Sequence, residues 1–85
     1  PDAIFIGGGF NWSTFDICWR ELKPFGRIVV NAVTLETEAE LFKLKETQGG
    51  ELCRISIQRS EAIGNRTGWR PLMQVTQWSK IKDAW

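Results

Sequence analysis

Two short segments, Ala3–Ile6 and Ile28–Val30, are apolar at every consecutive position. A half-wet strand alternates apolar with polar. One that is apolar throughout belongs where both faces are covered, as in a central parallel strand. Each segment is followed by helical sequence. After the first come Gly7-Gly8-Gly9 and then Asn11 or Ser13 as a helix cap, Ser13 with Asp16 resembling a capping box with a shorter acid. Phe15, Cys18, Trp19 and Leu22 share one helical face, and Pro24 and Gly26 close the helix, giving a span of about 12–23. The second strand, Arg27–Val33, leads through Thr34 as cap into a helix over 35–48. Glu36 and Glu38 lie in its first turn and Gly49-Gly50 follow its end. Strand, helix, strand, helix at this spacing predicts a parallel βαβα unit with right-handed crossovers.

The third strand, Leu52–Gln58, behaves differently. Cys53, Ile55 and Ile57 alternate with Arg54, Ser56 and Gln58, so one face is expected to be wet or partly covered. A loop over Arg59–Pro71 follows, then a last strand over Met73–Lys80. That connection has no room for a helix, so the last two strands are expected to pair antiparallel. The expected fold is α/β. A terminal antiparallel hairpin on a parallel sheet is the architecture of the class I S-adenosylmethionine-dependent methyltransferases, which is an analogy of fold and not of function.

Eighty-five residues make one domain, 1–85, with 42% apolar and 25% charged residues, the balance of a globular chain. The chain opens at Pro1-Asp2 and runs directly into an apolar strand, so it reads as a piece of something longer. No apolar run approaches the length of a membrane span. The formal net charge is +1, and no basic stripe or recognition signature suggests nucleic acid. With no histidine, triads built on that residue are excluded. Two cysteines, Cys18 and Cys53, leave no ligand set for structural zinc, so no metal is expected. Both read as reduced, buried thiols of a cytoplasmic protein.

Three places could carry a site. Gly7, Gly8 and Gly9 close the first strand, where ligands of open α/β sheets bind. They suit either a close backbone approach to a cofactor or a plain tight turn. Asn31 and Thr34 put an amide and a hydroxyl at the end of the second strand, either for a ligand or as a strand end and cap. Arg59, Arg66 and Arg70 crowd the loop with Trp69. Between Arg54 and Arg70 the only acid is Glu61. Arginines of this kind grip carboxylates and a tryptophan stacks on a flat ring, or else the loop is simply solvated. Trp12, Trp19, Trp78 and Trp85 read as packing or end residues.

The segments Pro1–Gly9, Leu22-Lys23-Pro24, Asn31–Glu36, Gly50-Glu51-Leu52, Gly68-Trp69-Arg70-Pro71 and Val75-Thr76-Gln77-Trp78 resemble, in order, the C-terminal half of the precorrin-6Y C(5,15)-methyltransferases (decarboxylating) of cobalamin biosynthesis. Phe25 stands where that family usually has glycine, and Ala62 and Gln74 where it has proline. The resemblance implies methyl transfer from S-adenosylmethionine to carbon 15 of a precorrin and loss of carbon dioxide from its carbon-12 acetate. It implies a polycarboxylate tetrapyrrole as substrate. Gly7, Gly8 and Gly9 would lie at the cofactor's rim, and Asn31, Thr34, Arg59, Arg66, Trp69 and Arg70 toward the substrate. It names no catalytic residue, and Glu36 reads as serving its helix start. The family's main cofactor loop would lie upstream of Pro1, so the complete chain would be the enzyme and the 85-residue piece alone is expected to be inactive. The contrasting reading is a non-catalytic half-domain that serves assembly or ligand binding. An unpaired first strand would also favour a homo-oligomer.

Overall fold

The computed structural model describes residues 1–83. Its elements are β1 (Ala3–Ile6), α1 (Trp12–Glu21), β2 (Arg27–Ala32), α2 (Leu35–Gln48), β3 (Glu51–Ile55), β4 (Gln58–Ile63), β5 (Arg66–Pro71) and β6 (Val75–Ile81). The main sheet has the order β1-β2-β6-β3. β1 pairs with β2 in parallel, as the apolar runs predicted. β6 runs antiparallel to both β2 and β3, and so lies between two strands that point the same way.

Strand alternation sorts the sheet's side chains onto two faces. Ile28, Val30, Ala32, Thr76 and Trp78 share one face and are buried there. Phe15 and Leu22 of α1 and Leu41 and Leu44 of α2 close over them. Phe15 meets Trp78 edge-on at 5.8 Å and stacks on Trp19 at 6.0 Å. The Trp78 indole N–H donates to the Gly49 carbonyl at 2.8 Å, which satisfies a polar group inside this core. Val29, Asn31, Gln77, Cys53 and Ile55 alternate onto the other face, which neither helix covers.

The helices are fixed at both ends. Asn11 caps α1, its Oδ1 accepting from the Thr14 N–H at 3.1 Å, and Thr34 caps α2, its Oγ1 accepting from Thr37 N–H at 3.2 Å. At the opposite edge of the sheet, the Lys82 ammonium donates to the carbonyls of Trp19 and Leu22, each at 2.7 Å. That lysine is only 9% exposed, and it neutralises carbonyls that the end of α1 leaves without partners.

β1 is an edge strand of this sheet, the unpaired first strand expected above, and Phe5 is 64% exposed. Other sequence expectations are corrected. Ser13 is not the cap of α1, which ends at Glu21 rather than 23 because Leu22 already has extended backbone. β2 stops at Ala32 and β6 is shifted to Val75–Ile81. Cys18, on α1, is half-buried, but Cys53 is exposed, because alternation turns it onto the uncovered face. Trp85 lies outside the described residues.

The largest correction concerns the stretch read as the end of a strand and a loop. β3 ends at Ile55, and Gln58–Pro71 forms a separate antiparallel ribbon, β4–β5. Its two strands are joined by the two-residue turn Gly64-Asn65, with Gly64 at φ 60, as a type II′ turn requires of its first central residue. Every residue of β4 is exposed. The ribbon extends away from the sheet as an arm. The radius of gyration is accordingly 16.2 Å, against about 12 Å for a compact chain of this length.

Candidate functional site

The parallel strands β1, β2 and β3 all end at one edge of the sheet. Gly7, Val33 and Ser56 leave from it, and β6 begins there at Val75. Three of the expected groups converge on this edge because chain direction puts them there. Gly8 and Gly9 border open space: a methyl group added to either would meet no atom within 4 Å. The Asn31 Oδ1 accepts a hydrogen bond from the Gln77 side chain at 3.0 Å, across the register pair Asn31↔Gln77. That leaves the Asn31 amide nitrogen available as a donor. The Thr34 hydroxyl, by contrast, is engaged at the start of α2, accepting from Thr37 N–H and donating to the Thr37 hydroxyl at 3.0 Å.

The arm separates residues that the sequence grouped together. Directly opposed residues of an antiparallel pair share a face. The pairs Arg59↔Arg70, Glu61↔Gly68 and Ile63↔Arg66 therefore place all three arginines on one side. Trp69, opposite Ser60, lies on the other side and is 75% exposed. Arg70 reaches the Glu61 carboxylate at 3.6 Å. With three arginines and one glutamate, this face is cationic and solvated. Such a face binds an anion through guanidinium forks only once water is displaced.

A further cluster had no counterpart in the sequence reading. Glu38, in the first turn of α2, lies 3.1 Å from the Arg54 guanidinium and accepts a hydrogen bond from the Thr76 hydroxyl. Arg54 Nε also donates to Thr76 Oγ1 at 3.4 Å. The Thr76 hydroxyl, then the Arg54 guanidinium, hold the Glu38 carboxyl below the ordinary carboxylate value, against the opposing pull of burial. Nearby, the Trp12 indole N–H donates to Glu40 Oε2 at 2.6 Å, tying the start of α1 to α2 and lowering the Glu40 pKa. Glu36 sits in the first turn of α2, as its sequence position suggested.

The family model described as precorrin methyltransferase domain matches residues 1–82. The chain belongs to that family. This precorrin methyltransferase domain is 49% identical over 83 residues to a precorrin-6Y C(5,15)-methyltransferase [decarboxylating] from Sinorhizobium sp. The match covers 96% of the chain and 20% of that relative. Among solved structures, it superposes on the C-terminal domain of precorrin-6Y C5,15-methyltransferase from Rhodobacter capsulatus with a TM-score of 0.83 and 44% identity, covering 96% of this chain and 45% of that one. The corresponding domain from Corynebacterium diphtheriae gives 0.87 and 37%, with 96% and 49% covered. The precorrin methyltransferase domain described here thus spans about a fifth of the curated relative's length and about half of each solved chain. Its mixed sheet, with β6 between β2 and β3, is that of the methyltransferase fold. Among the described residues no helix is long and apolar enough to cross a membrane.

Proposed function

We propose that the chain forms the substrate side of a methyltransferase that methylates carbon 15 of a precorrin-6Y-type ring and removes the carboxyl of its carbon-12 acetate. The observation that carries this reading is the family match across residues 1–82. The arrangement at the sheet's carboxyl edge supports it. The arginine face of the arm can hold peripheral carboxylates, and the Asn31 amide nitrogen can donate to a ring substituent. Trp69 offers a flat surface from the opposite side of the ribbon.

S-adenosylmethionine, when bound, supplies an electrophilic methyl group. Gly8 and Gly9 fit its rim, since their open faces let a ligand approach the backbone. The rest of its seat is assigned to the length of the relatives that this chain does not span. The chain's own residues bind and orient. Transfer to an electron-rich ring carbon is a direct displacement in which positioning supplies much of the rate. In the decarboxylation the carbon–carbon bond breaks, its electron pair enters the conjugated ring and carbon dioxide leaves; a proton from water then completes the methyl group left at carbon 12, so no protein nucleophile is needed.

The same reading places the protein in the cytoplasm. It also pairs the open outer edge of β1 with another strand. In this chain alone that strand comes from a second copy, making a homo-oligomer, which sedimentation would detect. Arg70→Ala in the full-length protein tests the substrate assignment. A raised KM for the tetrapyrrole with folding intact supports it. Normal KM and kcat in a folded variant count against it.

A further inference from the structure

The arm leaves and rejoins the sheet at one place, and a single carboxylate touches both legs there. Arg54 on β3 and Thr76 on β6 are register partners, one pair short of the last pair, Ile55↔Val75. Beyond that pair the Leu72 N–H donates to the Ile57 carbonyl at 2.9 Å, and the ribbon begins at Gln58↔Pro71. Glu38 accepts from Thr76 and pairs with Arg54, and its side chain is only 18% exposed. It is fixed in turn by α2, which packs on the core through Leu41 and Leu44. Among the described residues, no side-chain hydrogen bond or ion pair joins β4 or β5 to a helix or to the main sheet.

We propose that Glu38 is a positioning residue: by gripping Arg54 and Thr76 together, it sets the direction in which the arm projects from the sheet. The leverage is large. Six residues of strand extend about 20 Å, so a turn of about 10° at the base moves the tip by about 3.5 Å. The consequence for the reaction rests on the reading that the arm's arginines take the substrate's carboxylates. The mechanical role of Glu38 does not rest on it.

The test uses nitroxide labels at Ala62 on the arm and at Glu46 on α2, in a background free of other cysteines, with their separation measured by electron–electron double resonance. In the parent protein one narrow distance distribution is expected. In Glu38→Ala the distribution broadens about twofold or more, given a lever of about 20 Å. Glu38→Gln broadens it less, since its amide still accepts from Thr76 but carries no charge for Arg54. In the full-length protein, KM for the tetrapyrrole rises in the same order, while kcat changes less. An unchanged distribution in folded Glu38→Ala overturns the proposal. Should that variant fail to fold, an unchanged distribution in Glu38→Gln does so. A broadened distribution with unaltered KM supports the positioning role and counts instead against the arm as the substrate's grip.

Discussion

Phe25→Gly should stabilise this protein, although it removes an aromatic side chain. Lys23-Pro24-Phe25-Gly26 is a tight turn between α1 and β2, closed by a Gly26 N–H to Lys23 carbonyl bond of 2.9 Å. Proline at the second position and positive φ at the third define a type II turn, whose third position prefers glycine. Here that position is Phe25, at φ 64, the only residue other than glycine with positive φ among those described. The backbone cannot relax elsewhere. The Phe25 N–H donates to the Lys82 carbonyl at 2.9 Å, and the Arg27 N–H donates to the Asp2 carbonyl at 3.0 Å. Gly26 is equally confined, because a Cβ there would lie 2.8 Å from the Asp2 carbonyl oxygen and 2.7 Å from a Leu22 methyl. The ring offers little in return, being 73% exposed. A left-handed conformation costs a residue with a Cβ about 1–2 kcal/mol. Glycine gives back about 0.4–1 kcal/mol through its freer unfolded chain. The net gain is about 0.5–1 kcal/mol, or a rise in Tm of about 2–8 °C for a domain of this size. Phe25→Ala is the control: it removes the ring and keeps the strain. Thermal unfolding followed by circular dichroism should rank glycine above both alanine and phenylalanine. If Phe25→Gly melts no higher than Phe25→Ala, the turn is not strained and the reasoning is wrong.

Lys82→Met removes both hydrogen bonds to the end of α1 and strands the Trp19 and Leu22 carbonyls. It should cost about 2 kcal/mol by chemical denaturation. Val30→Ala, on the covered face, should cost about 2 kcal/mol, and Val29→Ala, next to it on the open face, clearly less, as unfolding of this chain would reveal. The depressed pKa values of Glu38 and Glu40 give stability that is fully present above the ordinary carboxylate value of 4.5 and is lost as pH falls through the lower folded values. Thr76→Val removes the largest cause at Glu38, so carbon-13 titration of its carboxyl should show the pKa moving back up.

The sequence carried the helix-and-strand framework because that part follows from burial. Phe15 and Leu22 repeat at helical spacing and both are buried. α2 lies between the cap Thr34 and Gly49, where it was expected. The arm was missed because it buries nothing. Gln-Arg-Ser-Glu-Ala-Ile has no alternation of apolar and polar residues to signal a strand, and its stability comes from backbone pairing around a turn. The one local signal was the dipeptide Gly64-Asn65, a hairpin turn pair that could have been read as such. The insertion of β6 between β2 and β3 was also out of reach, since pairing order is set by contacts between residues far apart in the chain.

The site divides along the same line. Strand direction is local information, so the convergence of Gly7–Gly9 and Asn31 on one edge could be anticipated. Side-chain partnership across the chain is not local. Glu38 and Thr76 are separated by 38 positions, and nothing near either residue announces the other. Trp69 shows what sequence adjacency leaves out: it neighbours Arg70 in the chain, whereas in a strand neighbouring residues point to opposite faces. The arm therefore presents charge on one side and an aromatic ring on the other. A single flat substrate lying on one side can meet the arginines or Trp69, but contact with both requires it to wrap the ribbon's edge or the ribbon to twist. Arg70→Ala and Trp69→Ala should then be separable. If the macrocycle lies on the cationic side, tetrapyrrole affinity falls with Arg70→Ala and holds with Trp69→Ala, and equal losses in folded variants would mean that the ribbon is gripped from both sides.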